Sequence, residues 1–322
     1  MEIKPEILEK LEKLEKKYQA MGQDLLSYLD GLLYADYLTY WDYIHLDSLL
    51  SLQNPKTSFP DEEIFIMYHQ VTELYFKMML HEFRQIGYRE SLTPEFMIER
   101  ITRINRYFEN LTQSFEIMVD GMEQGQFLKF RMSLLPASGF QSAQYRMVEI
   151  CSTDFTRLIA KEYREQLANN KGASIDDMFE FIYWKAGATE LSTGNKTLTL
   201  KQFEAKYTQT LISLAKEYRS RNLWHLFKSL PEADQKNEKL VRALKRLDVN
   251  VNVNWPLCHY KSAVKYLHKH PKDIEATGGT NWQKYLPPRF QKRIFYPELW
   301  TETEMEEWGL KWVKEEIFGV ED

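Results

Sequence analysis

The 322-residue sequence is 43% hydrophobic and 28% charged with a net charge of −5, which is typical of a globular protein with a sizeable core and argues against a nucleic-acid partner. It contains no apolar stretch of about 18 residues and no apolar segment near its start, so neither a membrane span nor a secretion signal is expected. Cys151 and Cys258 are too few for a disulfide framework and form no CxxC pair, so we expect a cytoplasmic protein.

The N-terminal segment is predicted to be helical, because Pro5 suits a first helical turn and apolar residues follow it at helical spacing. This apolar stripe lies on an otherwise charged helix and consists of Ile7, Leu8, Leu11 and Leu14. A stripe of this kind packs either on its own domain or on a partner subunit, and the spacing alone leaves both open.

Helical periodicity and helix caps dominate the rest of the chain, and strand signals are weak. After the breaks at Asn54-Pro55 and Phe59-Pro60, an acidic turn at 61–63 begins a helix predicted to run to about residue 83. Further helices are predicted at 94–121, 141–150, 231–247 and 302–317. Another is predicted to follow the segment 252–256 and to contain His259. Two capping boxes, Ser174 with Asp177 and Thr199 with Gln202, each indicate the start of one more helix. The sequence therefore predicts an all-α fold, a single helical-bundle domain with residues 1–60 as an N-terminal arm and 61–322 as the core.

The seven histidines contain no HExxH motif and no zinc-finger spacing. His268 and His270 are typical of a solvated helix end, and His81 beside Glu82 suggests a hydrogen-bonded core residue. His69 shares a helix face with Phe65, one turn before it, and a lone histidine among apolar residues is more often structural than functional.

His259 follows Cys258 in an apolar and aromatic run, where a structural role is again the ordinary reading. A single histidine on a helix is nevertheless how haem is commonly held in an all-α pocket. Periodicity cannot decide between these two roles.

Two polar features bear on ligand binding. Arg131 lies among hydrophobic residues, either as a surface arginine with a snorkelling stem or as a fork that holds a carboxylate. The segment TGGT at 277–280 is either a plain turn or a loop that closes over a ligand. It is neither GxGxxG nor a P-loop, so no nucleotide site is predicted.

Five ordered blocks of the sequence resemble the haem-dependent tryptophan 2,3-dioxygenase family. They are YWDYIHLDSLL at 40–50, FIMYHQVTELYFK at 65–77, RMSLLPASGFQSAQYR at 131–146, Trp255 four residues before His259 together with TGG at 277–279, and FYPEL at 295–299. The block at 131–146 and the HQxxEL pattern at 69–74 are the most specific. The resemblance extends from about residue 40 to residue 300.

The resemblance implies an enzyme that uses haem b with ferrous iron and O₂ to cleave the indole C2–C3 bond of L-tryptophan, giving N-formylkynurenine. It also implies a homotetramer, a dimer of dimers. By matched position, His259 would be the axial iron ligand, and Ser138 and Gly139 would be small residues over the haem. His69 would be the distal histidine that accepts a hydrogen bond from the indole N–H.

The same resemblance implies the remaining substrate contacts. Arg131 would pair with the substrate carboxylate, and Thr277 would bind the amino-acid head group. The apolar walls would be formed by Phe65, Phe127 and Leu134, and a neighbouring subunit would contribute Tyr40, Tyr43 and Ile44.

The chain departs from the family pattern at a few positions. Tyr75 replaces a tryptophan, Ile44 replaces a leucine and Ala276 replaces the first glycine of the GTGG loop. The segment TNW at 280–282 replaces the usual small residues, which bears on how strictly tryptophan is selected. Two alternatives therefore stay open, a related haem oxygenase for another indole or a phenol, and a non-catalytic helical haem protein. His69 separates the chain from indoleamine dioxygenases, which lack a distal histidine.

Overall fold

The computed structural model describes residues 3–35, 38–134, 141–169, 173–188, 195–267 and 292–309. The predicted all-α class is confirmed, because these ranges contain helices and no strand, with isolated bridges such as the antiparallel one between Ile159 and Ile182. None of the described helices is long and apolar enough to cross a membrane. The chain divides into two compact units, Met1–Asn54 and Pro55–Asp322.

The N-terminal unit contains four helices: α1 (Pro5–Ala20), α2 (Leu25–Leu33), α3 (Tyr40–Tyr43) and α4 (Leu46–Leu49). Pro5 occupies the first turn of α1 as predicted, and the Asp24 carboxylate caps α2 by accepting from the amides of Leu26 and Ser27. Leu25 is the one buried side chain among the described positions of this unit. Its other large apolar residues are mostly exposed, so the unit has almost no core of its own.

The second unit contains the remaining helices. They are α5 (Asp61–Gly87), α6 (Pro94–Ser114), α7 (Glu116–Val119), α8 (Gln124–Phe130), α9 (Ala143–Ser152), α10 (Lys161–Asn169), α11 (Ile175–Phe179), α12 (Tyr183–Gly187), α13 (Leu198–Glu217), α14 (Leu223–Ser229), α15 (Glu232–Gln235), α16 (Glu238–Val249), α17 (Trp255–Leu267) and α18 (Glu302–Glu306). Short 3₁₀ turns follow α8 (Arg131–Leu134), precede α10 (Phe155–Leu158), follow α13 (Tyr218–Ser220) and precede α18 (Pro297–Leu299), and a π-helix (Asn250–Asn254) joins α16 to α17.

The core of this unit forms where α5 packs along α6 and α9, and where α6 packs along α16. Its largest fully buried side chains include Phe76, Phe83, Phe108 and Phe130. Burial of each such ring removes enough apolar surface from water to contribute about 1.5–3 kcal/mol. The helices that carry the candidate site are therefore fixed by a large aromatic core.

Several predicted boundaries were wrong for local reasons. The helix predicted at 94–121 is interrupted at Phe115, and the one predicted at 231–247 restarts after Asn237, whose side chain caps α16. The cap of α13 is Thr197, not Thr199, which is buried inside the helix. The capping box of Ser174 with Asp177 is confirmed.

Two further expectations need correction. The predicted helix around His259 is present, but the segment 252–256 that was expected to precede it is itself helical, as part of the π-helix and the first turn of α17. His81 is exposed on α5 and is not a core residue. The helix predicted at 302–317 begins as expected, with Thr301 and Glu304 forming a capping box, but residues 310–317 lie outside the described residues.

Candidate functional site

His69 lies on α5 with its ring against Phe65, at a centroid distance of 4.1 Å. Its Nδ1 is 2.7 Å from the carbonyl oxygen of Phe65. Because a carbonyl oxygen can only accept, Nδ1 carries the proton and Nε2 keeps its lone pair. No residue that the structure describes is recorded as a partner of Nε2.

The His69 ring is accessible to solvent, yet the surrounding protein atoms lower its pKa by desolvation. The ring is therefore partly packed against other protein atoms, with Phe65 beside it. Hydrogen bonding to Phe65 and the negative charge of Glu73 oppose this shift. The neutral ring therefore offers Nε2 as a hydrogen-bond acceptor.

His259 repeats the same arrangement on α17. Its Nδ1 is 3.0 Å from the carbonyl oxygen of Trp255, so its Nε2 also keeps the lone pair. Burial lowers the pKa of His259 to about 4, and the positive charge of Arg146 contributes to the shift. His259 is therefore neutral at physiological pH, which is the form in which histidine binds a metal.

An aromatic cluster connects the two histidines. The ring of Tyr68 contacts both His69 and Phe115, at 6.3 and 5.9 Å, and Phe115 lies 4.7 Å from His259. Trp255 flanks His259 at 4.5 Å. Sequence reasoning missed Phe115, whose position between α6 and α7 becomes meaningful only once α17 packs beside it.

Phe127 and Leu134 extend the apolar wall. Phe127 on α8 lies 6.3 Å from Phe65, and Phe130 contacts both rings, at 5.5 and 5.7 Å. Leu134 is half-buried at the edge of the same core. The structure thus brings two predicted wall residues, Phe65 and Phe127, together beside His69, and Leu134 packs on the same core.

Arg131 follows α8 directly, one turn after Phe127. Its side chain is half-buried, and burial lowers the pKa of its guanidinium. A fully solvated surface arginine would not show this effect. Arg131 therefore combines a charged fork with partial desolvation, which strengthens pairing with an anion.

Buried polar groups hold α5 and α9 in place around the site. The Gln144 side-chain amide donates to the Glu73 carbonyl at 2.9 Å and to its carboxylate at 2.8 Å. On the same helix Arg146 donates to Glu149 at 2.7 Å and contributes to the lowered pKa of His259. Sequence reasoning missed the pair of Arg146 and Glu149, although opposite charges three residues apart on an apolar helix indicate a buried ion pair.

The other predicted site residues lie either in the N-terminal unit or outside the described residues. Tyr40 and Tyr43 are 71% and 74% exposed, and Ile44 is half-buried, all within the N-terminal unit. Ser138, Gly139 and Thr277 lie outside the described residues, as do the segment 280–282 and the pair His268 and His270. The roles of these residues stay predictions.

The donor set limits the kind of metal centre. Among the described residues, no group of three or more His, Cys, Asp or Glu side chains could hold a bare ion. One neutral imidazole beside aromatic rings is instead suited to be an axial ligand of a metal held by a macrocycle. The residues present therefore fit a haem.

Comparisons with known proteins agree with this chemistry. The family model described as Tryptophan 2,3-dioxygenase matches residues 32–181. A Tryptophan 2,3-dioxygenase of Bacillus thuringiensis subsp. konkukian (strain 97-27) is 28% identical over 279 residues, which cover 83% of this chain and 92% of that protein. One from Ruegeria sp. (strain TM1040) is 41% identical over 120 residues, 36% of this chain and 42% of its own length. The Tryptophan 2,3-dioxygenase 2 of Ralstonia nicotianae (strain ATCC BAA-1114 / GMI1000) is 38% identical over 151 residues, 44% and 39% of the two chains. The chain is therefore similar to the tryptophan 2,3-dioxygenase family, most clearly over residues 32–181.

Proposed function

We propose that this protein is a haem-dependent dioxygenase that cleaves the indole C2–C3 bond of L-tryptophan with O₂ to give N-formylkynurenine. The observation that carries the proposal is the pair of neutral imidazoles, His69 and His259. Each commits Nδ1 to the backbone of its own helix, and both are joined by one aromatic cluster.

His259 would hold the haem iron through Nε2. Its lowered pKa removes competition from protons at physiological pH, and the hydrogen bond to Trp255 fixes the ring and raises the basicity of Nε2. When bound, ferrous haem b supplies the oxygen chemistry of the reaction. The protein supplies orientation and the exclusion of water.

On the substrate side, the Nε2 of His69 would accept the hydrogen bond of the indole N–H. The rings of Phe65 and Phe127 provide the apolar surface that an indole requires. Arg131 would hold the substrate carboxylate, and its partial burial strengthens that pairing. These contacts together select an aromatic amino acid over a plain indole.

The family resemblance supplies the remaining roles. Thr277 would bind the amino-acid head group, and Ser138 and Gly139 would leave room over the haem. Tyr40, Tyr43 and Ile44 would complete the site of a neighbouring subunit in a cytoplasmic homotetramer. The many exposed apolar side chains of the N-terminal unit support an oligomer, because such a surface is costly in water. A non-catalytic haem protein is less well supported, since it has no use for a half-buried arginine one turn after the aromatic side chain of Phe127.

The test is direct. The haem-loaded protein is reduced without oxygen, mixed with L-tryptophan and air, and followed by the absorbance of N-formylkynurenine. We expect His259→Ala to lose stable haem binding, and His69→Ala to keep haem with turnover reduced by about 10²–10⁴-fold. His81→Ala, an exposed histidine on the same helix as His69, is the matched control and should behave as wild type. Full haem loading of the wild type without product would refute the activity.

A further inference from the structure

The helix that carries His259, α17, is continuous with the preceding helix α16. It continues from α16 through the π-helix, in which the amide of Trp255 donates to the carbonyl oxygen of Asn250, five residues back. A π-turn accommodates one residue more than an α-helical turn, and each α-helical residue turns the chain by about 100°. If residues 250–254 closed into α geometry, every later side chain would rotate by about that angle, and His259 would leave Phe115.

A relay of side-chain amides holds one side of the π-helix. Asn254 Nδ2 donates to Asn250 Oδ1 at 2.9 Å, and Asn250 Nδ2 donates to Asn105 Oδ1 on α6 at 3.1 Å. Asn105 Nδ2 then donates to the carbonyl oxygen of Ala243 at 3.0 Å. Asn105 and Asn250 are only 2% and 3% exposed. Each of these two amides uses its donor and its acceptor, so neither aspartate nor leucine reproduces the relay.

Tyr145 on α9 holds the other side. Its hydroxyl donates to the carbonyl oxygen of Val251 at 2.8 Å, inside the wide turn. Burial raises the pKa of Tyr145 to about 12, so the hydroxyl remains a donor at physiological pH. The ring of Tyr145 also packs on Phe76, which contacts Trp255 at 5.7 Å. The wide turn is thus fixed between two helices of the core.

We propose that Asn105, Asn250 and Tyr145 are positioning residues that hold residues 250–254 in π geometry and so set the rotation of α17 that turns His259 toward His69. The inference rests on the proposed function in one respect, namely that His259 serves as the axial ligand. The local sequence does not impose this geometry, because asparagine and valine are weak helix formers with no preference for a wide turn. The tertiary hydrogen bonds supply it.

The test first removes the amide relay and then restores the rotation of α17 by a deletion. Asn105→Leu/Asn250→Leu replaces both members of the buried amide pair with apolar side chains of similar size, which leaves neither amide unpaired. We expect this double variant to bind ferric haem at least tenfold more weakly and to shift its reduction potential. Deleting Asn254 from the double variant removes the extra residue of the turn, so a continuous α-helix again directs His259 to its native place. Haem affinity should return to within threefold of wild type.

Leu244→Ala is the matched control, because it removes a fully buried side chain of α16 upstream of the turn. It should lower thermal stability and leave haem affinity unchanged. A second readout needs no haem: in the full-length haem-free protein with labelled phenylalanine and histidine, the nuclear Overhauser contact between the rings of Phe115 and His259 reports the rotation of α17. The contact should be lost in the double variant and recovered on deletion of Asn254.

The outcomes separate the two proposals. A wild type that binds no haem but shows this pattern of ring contacts would refute the function and support the positioning role. Native haem affinity in the double variant, or no recovery on deletion, would overturn the positioning role. If the double variant does not fold, two changes to the native chain test the positioning role instead. Deletion of Asn254 should preserve the contact between the rings of Phe115 and His259, and insertion of one alanine after Asn254 should abolish it. Equal loss in both would overturn the inference.

Discussion

Glu149 is a carboxylate that is 1% exposed and faces two buried guanidinium groups. It accepts from Arg146 at 2.7 Å, from the Tyr183 hydroxyl at 2.6 Å, and from Arg293. Arg146 belongs to α9, whereas Arg293 belongs to the segment 292–309, so the carboxylate joins two distant parts of the chain. We therefore predict that Glu149→Gln destabilises the protein strongly, although the substitution hardly changes side-chain volume.

The magnitude follows from the charges. Glutamine neutralises the one carboxylate between the two guanidinium groups, and breaking a buried ion pair in this way costs about 3–5 kcal/mol. The entropy of unfolding is about 2.1 cal/mol/K per residue, or about 0.7 kcal/mol/K for 322 residues. The melting temperature should therefore fall by about 4–7 °C.

Differential scanning calorimetry on the haem-free and haem-loaded protein measures this shift. The control is Glu232→Gln, which removes an equally short ion pair, to Lys236, between two side chains that are both exposed. Solvent screens such a pair, so its melting temperature should change by less than about 1 °C. Equal shifts in the two variants would show that the buried cluster contributes no more than a surface pair, and the reasoning would be wrong.

Arg131→Ala should raise KM for tryptophan by at least about thirtyfold with a smaller effect on kcat, because losing a desolvated charge partner costs about 2–5 kcal/mol; an unchanged KM would remove the carboxylate role. The pKa of His259 is about 4 in the folded protein, against an ordinary 6.5 that applies when the chain is unfolded. Between pH 6.5 and 4 the unfolded chain therefore gains a proton that the folded chain does not, and His259 should lower the stability of the haem-free protein by about 3 kcal/mol over this window. Urea unfolding of wild type and His259→Gln at several pH values measures this contribution as the difference between the two pH dependences. If the N-terminal unit forms the subunit interface, Leu33→Asp, at a position 75% exposed, should lower the molar mass found by light scattering.

The predictable part of the fold is local. The starts of α1, α5, α6 and α11 follow from proline, acidic first turns and a capping box, all of which act within one turn of the chain. The π-helix was missed because its geometry depends on Asn105 and Tyr145, which are more than 100 residues away in sequence. Helical periodicity carries no information about such partners.

The candidate site divides in the same way. Spacing alone correctly put Phe65 and His69 on one helix face, four residues apart. It could not bring His69 and His259 together, since that proximity arises from the packing of α5, α7 and α17 around Phe115. The family resemblance predicted that these two histidines act at one site. The structure adds that both rings carry the proton on Nδ1 and that desolvation lowers the pKa of both.

The two histidines are chemically alike and differ in their surroundings. Both donate Nδ1–H to the carbonyl four residues earlier, so both offer a neutral Nε2. His259 is enclosed by the rings of Trp255 and Phe115 and feels no neighbouring carboxylate in its pKa, which suits a ligand that never takes up a proton. His69 is open to solvent, and Glu73 opposes the effect of its burial. The neutral ring of His69 remains a hydrogen-bond acceptor. The aromatic enclosure of His259 and the carboxylate near His69 therefore support the different roles that we propose for the two residues, iron ligand and acceptor of the indole N–H.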